Sequence, residues 1–279
     1  FIDESIIDEH QNVLLSQLTR EGTWIYAKDL TPFAFNNYKV VSGQRPHLNT
    51  AQVDIHGRHF ENNLYIIQWS PRGSLTRIYS KQLDRELILE GSYANEFQVF
   101  DDKPGEFEAW EIKLETLEDT FHTMEVIKEL ESVTVLEKGD LFTSIEFRYR
   151  YKNSTVLQMM KIYNCSNRID FETHMNWQTQ EKLVKVKFPL NIYAREATHD
   201  VSFGNIKRPT HRTTSWDKAK FETCAIRYVD LSQRDFGISL LNDGKYGYDV
   251  EDGCVRLSLI KSSIHPDVKA DIGEQSFIY

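Results

Sequence analysis

Apolar and polar residues alternate with a period of two along most of the chain. Ile145, Phe147, Tyr149 and Tyr151 alternate with Glu146, Arg148 and Arg150. Ile169, Phe171, Thr173, Met175 and Trp177 alternate with Asp170, Glu172, His174 and Asn176. The same holds for Val184, Val186 and Phe188 against Lys185 and Lys187, and for Val255, Leu257 and Leu259 against Arg256 and Ser258. Successive side chains of a strand point to opposite faces, so each segment is expected to bury one face and wet the other. Polar turns separate the segments, at Lys138-Gly139-Asp140, Lys152-Asn153-Ser154, Asn164 to Asn167 and Asn242-Asp243-Gly244. The pattern predicts an all-β fold, an antiparallel meander packed as a sandwich. Met124 to Leu130 has helix-forming composition, but Val133 and Val135 beyond it favour a strand, and the stretch is read as one. Strands and helices do not alternate, which disfavours a doubly wound or barrel α/β fold.

Ser42-Gly43-Gln44-Arg45-Pro46-His47-Leu48-Asn49 is polar, holds both a Gly and a Pro, and reads as a linker. Short strands are expected before it, within Val13–Leu18, Thr23–Lys28 and Asn37–Val41. About 40 residues form only part of a sandwich, because so small a unit buries too little surface alone. Residues 44–279 read as one continuous all-β unit. The chain opens on Phe1-Ile2-Asp3 and closes on Ser276-Phe277-Ile278-Tyr279, and is expected to be a piece of a longer protein.

Composition narrows the partners. With 33 basic and 42 acidic residues the net charge is −9, which argues against a nucleic-acid backbone as partner. No apolar run approaches the roughly 20 residues that span a bilayer. The three cysteines, Cys165, Cys224 and Cys254, are scattered and read as small buried thiols, in keeping with a reducing, cytoplasmic compartment. The sequons at Asn153 and Asn164 do not by themselves establish secretion.

Most catalytic signatures are missing. His56 and His59 lack a third ligand and read as loop residues, so no metal site is expected in this chain. There is no G-x-S-x-G elbow, and Arg72-Gly73-Ser74 reads as a turn. No G-x-G-x-x-G or Walker A sequence occurs. Asp101-Asp102 is a carboxylate pair of the kind a glycosidase or mutarotase uses, but neighbours in a strand point apart, and a solvated turn is the expectation. Two segments are richer than a core requires. Phe203 to Asp217 gathers Arg208, His211, Arg212, Trp216 and Asp217, groups that grip sugar hydroxyls and ring faces; the plain alternative is an ordered surface loop. Leu240 to Tyr248 holds Asn242, Asp243, Lys245 and Tyr246, and the plain alternative is a hairpin turn.

At these segments the sequence resembles glycoside hydrolase family 38, the retaining α-mannosidases, in their C-terminal half. The similarity rests on Lys207-Arg208-Pro209-Thr210-His211, Thr214-Ser215-Trp216-Asp217 and Leu240-Leu241-Asn242-Asp243-Gly244-Lys245-Tyr246-Gly247. Gly73-Ser74-Leu75-Thr76-Arg77-Ile78-Tyr79, Ala94-Asn95-Glu96-Phe97, Asp101-Asp102-Lys103-Pro104 and Ala270-Asp271-Ile272-Gly273-Glu274 add to it. The pattern is nearest the bacterial and cytosolic branch. The resemblance implies a large β supersandwich of the galactose mutarotase-like type over 44–279, after the remnant of a small β-sandwich over 1–43. It implies hydrolysis of terminal α-mannosides by a separate N-terminal catalytic domain that holds the nucleophile, the acid/base carboxylate and a zinc ion. None of those motifs is in this chain, so the fragment alone is expected to be inactive. The implied partners are a mannose-containing oligosaccharide and that catalytic domain, with no membrane; self-association is left open. Arg208, with His211, Arg212 and Trp216, is the implied substrate contact, and Asn242, Asp243, Lys245 and Tyr246 shape the same rim. A non-catalytic carbohydrate-binding or scaffold module and a sugar mutarotase are the alternatives.

Overall fold

The computed structural model describes residues 4–48, 51–103, 105–120 and 122–279. Phe1 to Asp3, Asn49 of the linker and Pro104 lie outside them. Every strand pairing is antiparallel, and the helices are single turns, Leu114–Leu117 and Ser215–Lys218. The predicted meander is present as Glu129–Lys138, Phe142–Tyr151, Ser154–Tyr163 and Ile169–Trp177, with Gly273–Ile278 as its fifth strand. Lys152, in a left-handed conformation, makes the tight turn between Tyr151 and Ser154.

The apolar sets face inward as their alternation predicts. Ile145, Phe147, Tyr149, Met175 and Trp177 are all nearly sealed from water. Opposite them lie a five-stranded sheet centred on Tyr65–Trp69 and Leu75–Ser80, and a six-stranded sheet built on Glu96–Asp101, Lys182–Pro189 and Cys254–Lys261. Edge-on aromatic pairs join the layers: Trp69 with Phe147 at 5.7 Å, and Phe97 with Tyr149 at 5.8 Å. A four-stranded sheet, Gly204–Pro209, Glu196–Val201, Tyr228–Ser232 and Gly237–Leu241 in spatial order, closes one end of the same apolar core.

The first residues form a three-stranded sheet and the hairpin Ser16–Ile25. The hairpin is clasped to the meander by Gln17, whose buried Oε1 accepts the backbone N–H groups of Leu141 and Phe142, both at 2.9 Å. Trp24 stands edge-on to Phe142 at 5.7 Å, and the Lys161 ammonium lies over its ring.

Four expectations need correction. The Lys185 side of the six-stranded sheet is not wet: Lys185 is fully buried, because Asp249 and Glu222 neutralise it at 2.6 and 2.5 Å. Asp102 is not in a solvated turn. It is sealed from water and paired with Lys261, while Asp101 ends its strand against Lys182. Asn242-Asp243-Gly244 is not a hairpin turn, since Gly237–Leu241 and Gly247–Glu251 belong to different sheets. Of the cysteines, Cys224 is exposed and the other two are half-buried.

Candidate functional site

The stretch read as a surface loop is in part an edge strand. Gly204–Pro209 pairs with Glu196–Val201, setting Arg208 opposite Ala197, Ile206 opposite His199 and Lys207 opposite Thr198. Residues directly opposite share a face, so Arg208 and His199 lie on the inner face and Lys207 on the outer one. His199 is buried, with its Nδ1 3.4 Å from the Thr223 hydroxyl. Burial and, second, the positive charge of Arg208 push its pKa down to about 4, so the imidazole is neutral. Arg208 Nε is buried without a hydrogen-bond partner.

Beyond the strand, Thr214 and Asp217 form a capping box that starts the turn Ser215–Lys218. Asp217 accepts from the Thr214 hydroxyl and backbone N–H, which hold its carboxyl below the usual range. Trp216 projects from this turn and is 79% exposed. His211 is anchored at its Nδ1 by Thr213 at 2.6 Å. Arg212 is the buried member of the group. Its Nη1 meets Glu251 at 3.0 Å, and its Nη2 is sealed from solvent with no partner. Two guanidinium donors of the predicted segment are thus unsatisfied, each at a typical cost of about 1–3 kcal/mol unless an acceptor arrives.

The second group is placed by Asn242. Its Nδ2 donates to the Tyr248 hydroxyl at 2.8 Å and its Oδ1 accepts the Lys245 N–H at 2.9 Å. Lys245 lies over the Phe277 ring at 5.0 Å, and burial lowers its pKa against the pull of Asp271. Asp243 donates its N–H to the Ile278 carbonyl, and Tyr246 is half-exposed.

The two predicted groups are not one cluster. Among the described residues no hydrogen bond or ion pair joins them. The segment Thr223–Arg227 runs between, touching His199 through Thr223 and Asn242 through the Ile226 carbonyl. Lys207, Pro209 and His211 line a polar cleft of about 500 Å³ with Arg195, Glu196 and Thr198. Asn242 and Asp243 border a separate apolar groove. Sequence reading missed Arg195, Glu196 and His199. An alternating strand, Ala197-Thr198-His199, was the available signal, but a histidine on an apolar face is usually a core residue.

No three His, Cys, Asp or Glu side chains among the described residues gather as a metal site.

The fold defines a multi-sheet antiparallel β-sandwich with an arginine-bearing edge hairpin. The chain belongs to a named family: the profile "Glycosyl hydrolases family 38 C-terminal domain" matches residues 60–269. Its sequence is 35% identical over 220 residues to "Alpha-mannosidase 2C1" of Mus musculus, covering 78% of this chain and 21% of that protein. It is 36% identical over 225 residues to "Alpha-mannosidase G" of Dictyostelium discoideum, covering 78% of this chain and 20% of the other. The chain thus spans about a fifth of these relatives' length. A solved α-mannosidase from Enterococcus faecalis V583 superposes with a TM-score of 0.74 at 15% identity, covering all of this chain and 37% of that one. At that identity the likeness speaks for the fold alone.

Proposed function

We propose that this chain is the sandwich region of a retaining α-mannosidase and helps to seat the terminal α-mannosyl unit. In this reading the nucleophile, the acid/base carboxylate and the zinc ion belong to an N-terminal catalytic domain. The observation that carries it is that Arg208 Nε and Arg212 Nη2 are buried guanidinium donors without a partner, which an acceptor from outside this chain would satisfy. Arginine forks suit oxygen acceptors on neighbouring carbons or on a carboxylate. A cytoplasmic setting fits the three unpaired cysteines, and among the described residues no helix is long and apolar enough to cross a membrane.

The test is hydrolysis of an aryl α-mannoside. The 279-residue chain is expected to show no turnover, with or without added zinc, and turnover by it alone overturns the assignment. In the longer enzyme, Arg208→Ala and Arg212→Ala are expected to raise KM about tenfold or more, the loss of one charged hydrogen bond. Unchanged kinetics in both variants would remove these residues from the site. Calorimetric binding of mannobiose to the 279-residue chain, abolished by Arg208→Ala, would instead favour a carbohydrate-binding module.

A further inference from the structure

The outer face of the edge hairpin has polar groups of its own. The cleft of about 500 Å³ lies there, within the roughly 300–1,000 Å³ of small-ligand sites. Its lining includes Arg195, Glu196, Thr198, Lys207, His211 and Ser232. Thr198 stands opposite Lys207 on one side and opposite Asp230 on the other, so these three share the outer face. Arg208, next in the chain to Lys207, lies on the inner face.

The cleft is braced by its own backbone. The Thr210 hydroxyl donates to the Ala194 carbonyl at 2.6 Å, and its N–H donates to the Arg195 carbonyl at 3.0 Å. Thr213 fixes the His211 ring at Nδ1, and among the described residues Nε2 has no partner. The Ser232 hydroxyl donates to Asp230 at 2.7 Å and keeps its lone pairs for an incoming donor. Lys207 and Glu196 meet only at 3.7 Å, and both side chains are more than half exposed. A ligand displaces so loose a contact at little cost. Tyr193 directly precedes the wall residue Ala194 and is 79% exposed, with its N–H held by Gln233 at 3.4 Å.

We propose that this cleft binds a neutral pyranose unit of an oligosaccharide, with Tyr193 against its C–H face and its hydroxyls on Lys207, Glu196, Thr198 and His211. The class of ligand follows from the mixture of donors and acceptors. Arg195 and Lys207 only donate, whereas the Glu196 and Asp230 carboxylates only accept. A phosphate or carboxylate ligand would be repelled by those two carboxylates on the same side of the sheet. An apolar ligand would strip water from all of these groups without replacing it. A sugar hydroxyl donates and accepts at once, so a ring of hydroxyls satisfies both kinds. The Tyr193 ring supplies the apolar face that a pyranose also needs.

The experiment is calorimetric titration of the 279-residue chain with mannobiose at low and at high salt. Binding is expected, and equal at the two salt concentrations because the ligand carries no charge. Lys207→Ala and Tyr193→Ala are each expected to weaken it about tenfold or more. Lys220→Ala, which removes an exposed cation outside the cleft, is expected to leave it within about twofold. Lys207 and Tyr193 are both largely exposed, so an unchanged thermal midpoint shows that their variants stay folded. The kinetics of Arg208 and Arg212 variants in the longer enzyme report on those two residues alone, so the two assignments fail separately. No binding, binding that Arg208→Ala abolishes while Lys207→Ala leaves it intact, or displacement of the sugar by inorganic phosphate would each overturn the proposal.

Discussion

The Lys185 ammonium lies 2.6 Å from the Asp249 carboxylate, with the Lys185 side chain wholly and the Asp249 side chain almost wholly out of reach of water. Arg256 bonds the same carboxylate at 2.8 Å, and Glu222 takes a second contact from Lys185. Burial alone would raise the Asp249 pKa, but Lys185 and Arg256 override it and hold the carboxyl below its usual value. Asp249→Ala leaves Arg256 without its carboxylate and Lys185 with Glu222 alone in a dry layer, and is expected to cost about 3–5 kcal/mol, read by urea denaturation. A loss under about 1 kcal/mol would mean that water reaches the cluster.

His199 predicts a pH dependence with a definite sign. Its folded pKa is about 4 against an ordinary 6.5, so the unfolded chain binds more protons between those values. Stability is then full above the unfolded pKa and falls as the pH drops toward 4, by on the order of 3 kcal/mol at full titration. His199→Gln cannot titrate, and its midpoint curve between these pH values should be flatter than that of the parent. Parallel curves would sink the assignment.

Gly73 makes the turn between Tyr65–Trp69 and Leu75–Ser80 with φ of +84°, and an added Cβ would stand 2.7 Å from Cε1 of Tyr149. Gly73→Ala combines backbone strain with a clash against a sealed aromatic ring. The expected cost is about 2–4 kcal/mol, measured as a lowered thermal midpoint. Gly91 has a similar φ of +74° but open space around it, and Gly91→Ala should cost less.

Gln17→Ala strips the acceptor from two buried backbone donors, Leu141 and Phe142. The loss of about 1–3 kcal/mol should fall on the seam between the first hairpin and the meander. Limited proteolysis would then cut within the first 45 or so residues faster than in the parent, while the large sandwich stays intact. Uniform cleavage along the chain would contradict a local clasp.

The strands were legible because their faces differ. Ile145 to Tyr151 and Ile169 to Trp177 each bury one alternating set, and a period of two reports that directly. Lys185 was misread for the opposite reason: a buried ammonium looks the same in sequence as a wet one until Asp249, sixty-four positions away, is placed beside it. Asp102 hides in the same manner behind Lys261. The segment around Arg208 was recognised by its composition. Its division between two faces of an edge strand needs the register with Glu196–Val201, which no local pattern reports. Asn242 to Gly244 has the chemistry of a tight turn, and only the sheet assignments show that the strands on either side part company.

The Asn242–Tyr246 crossover has a mechanical meaning. It is a short tie rod between two layers, leading from the edge strand Gly237–Leu241 into the strand that carries Asp249. Asn242 is thereby joined to the dry ionic cluster at Asp249 within seven residues of chain. An Asp249 variant that loosens the cluster is expected to speed amide exchange at Asn242, whose N–H bonds the Arg227 carbonyl, before it does so in the meander strands, read by hydrogen exchange.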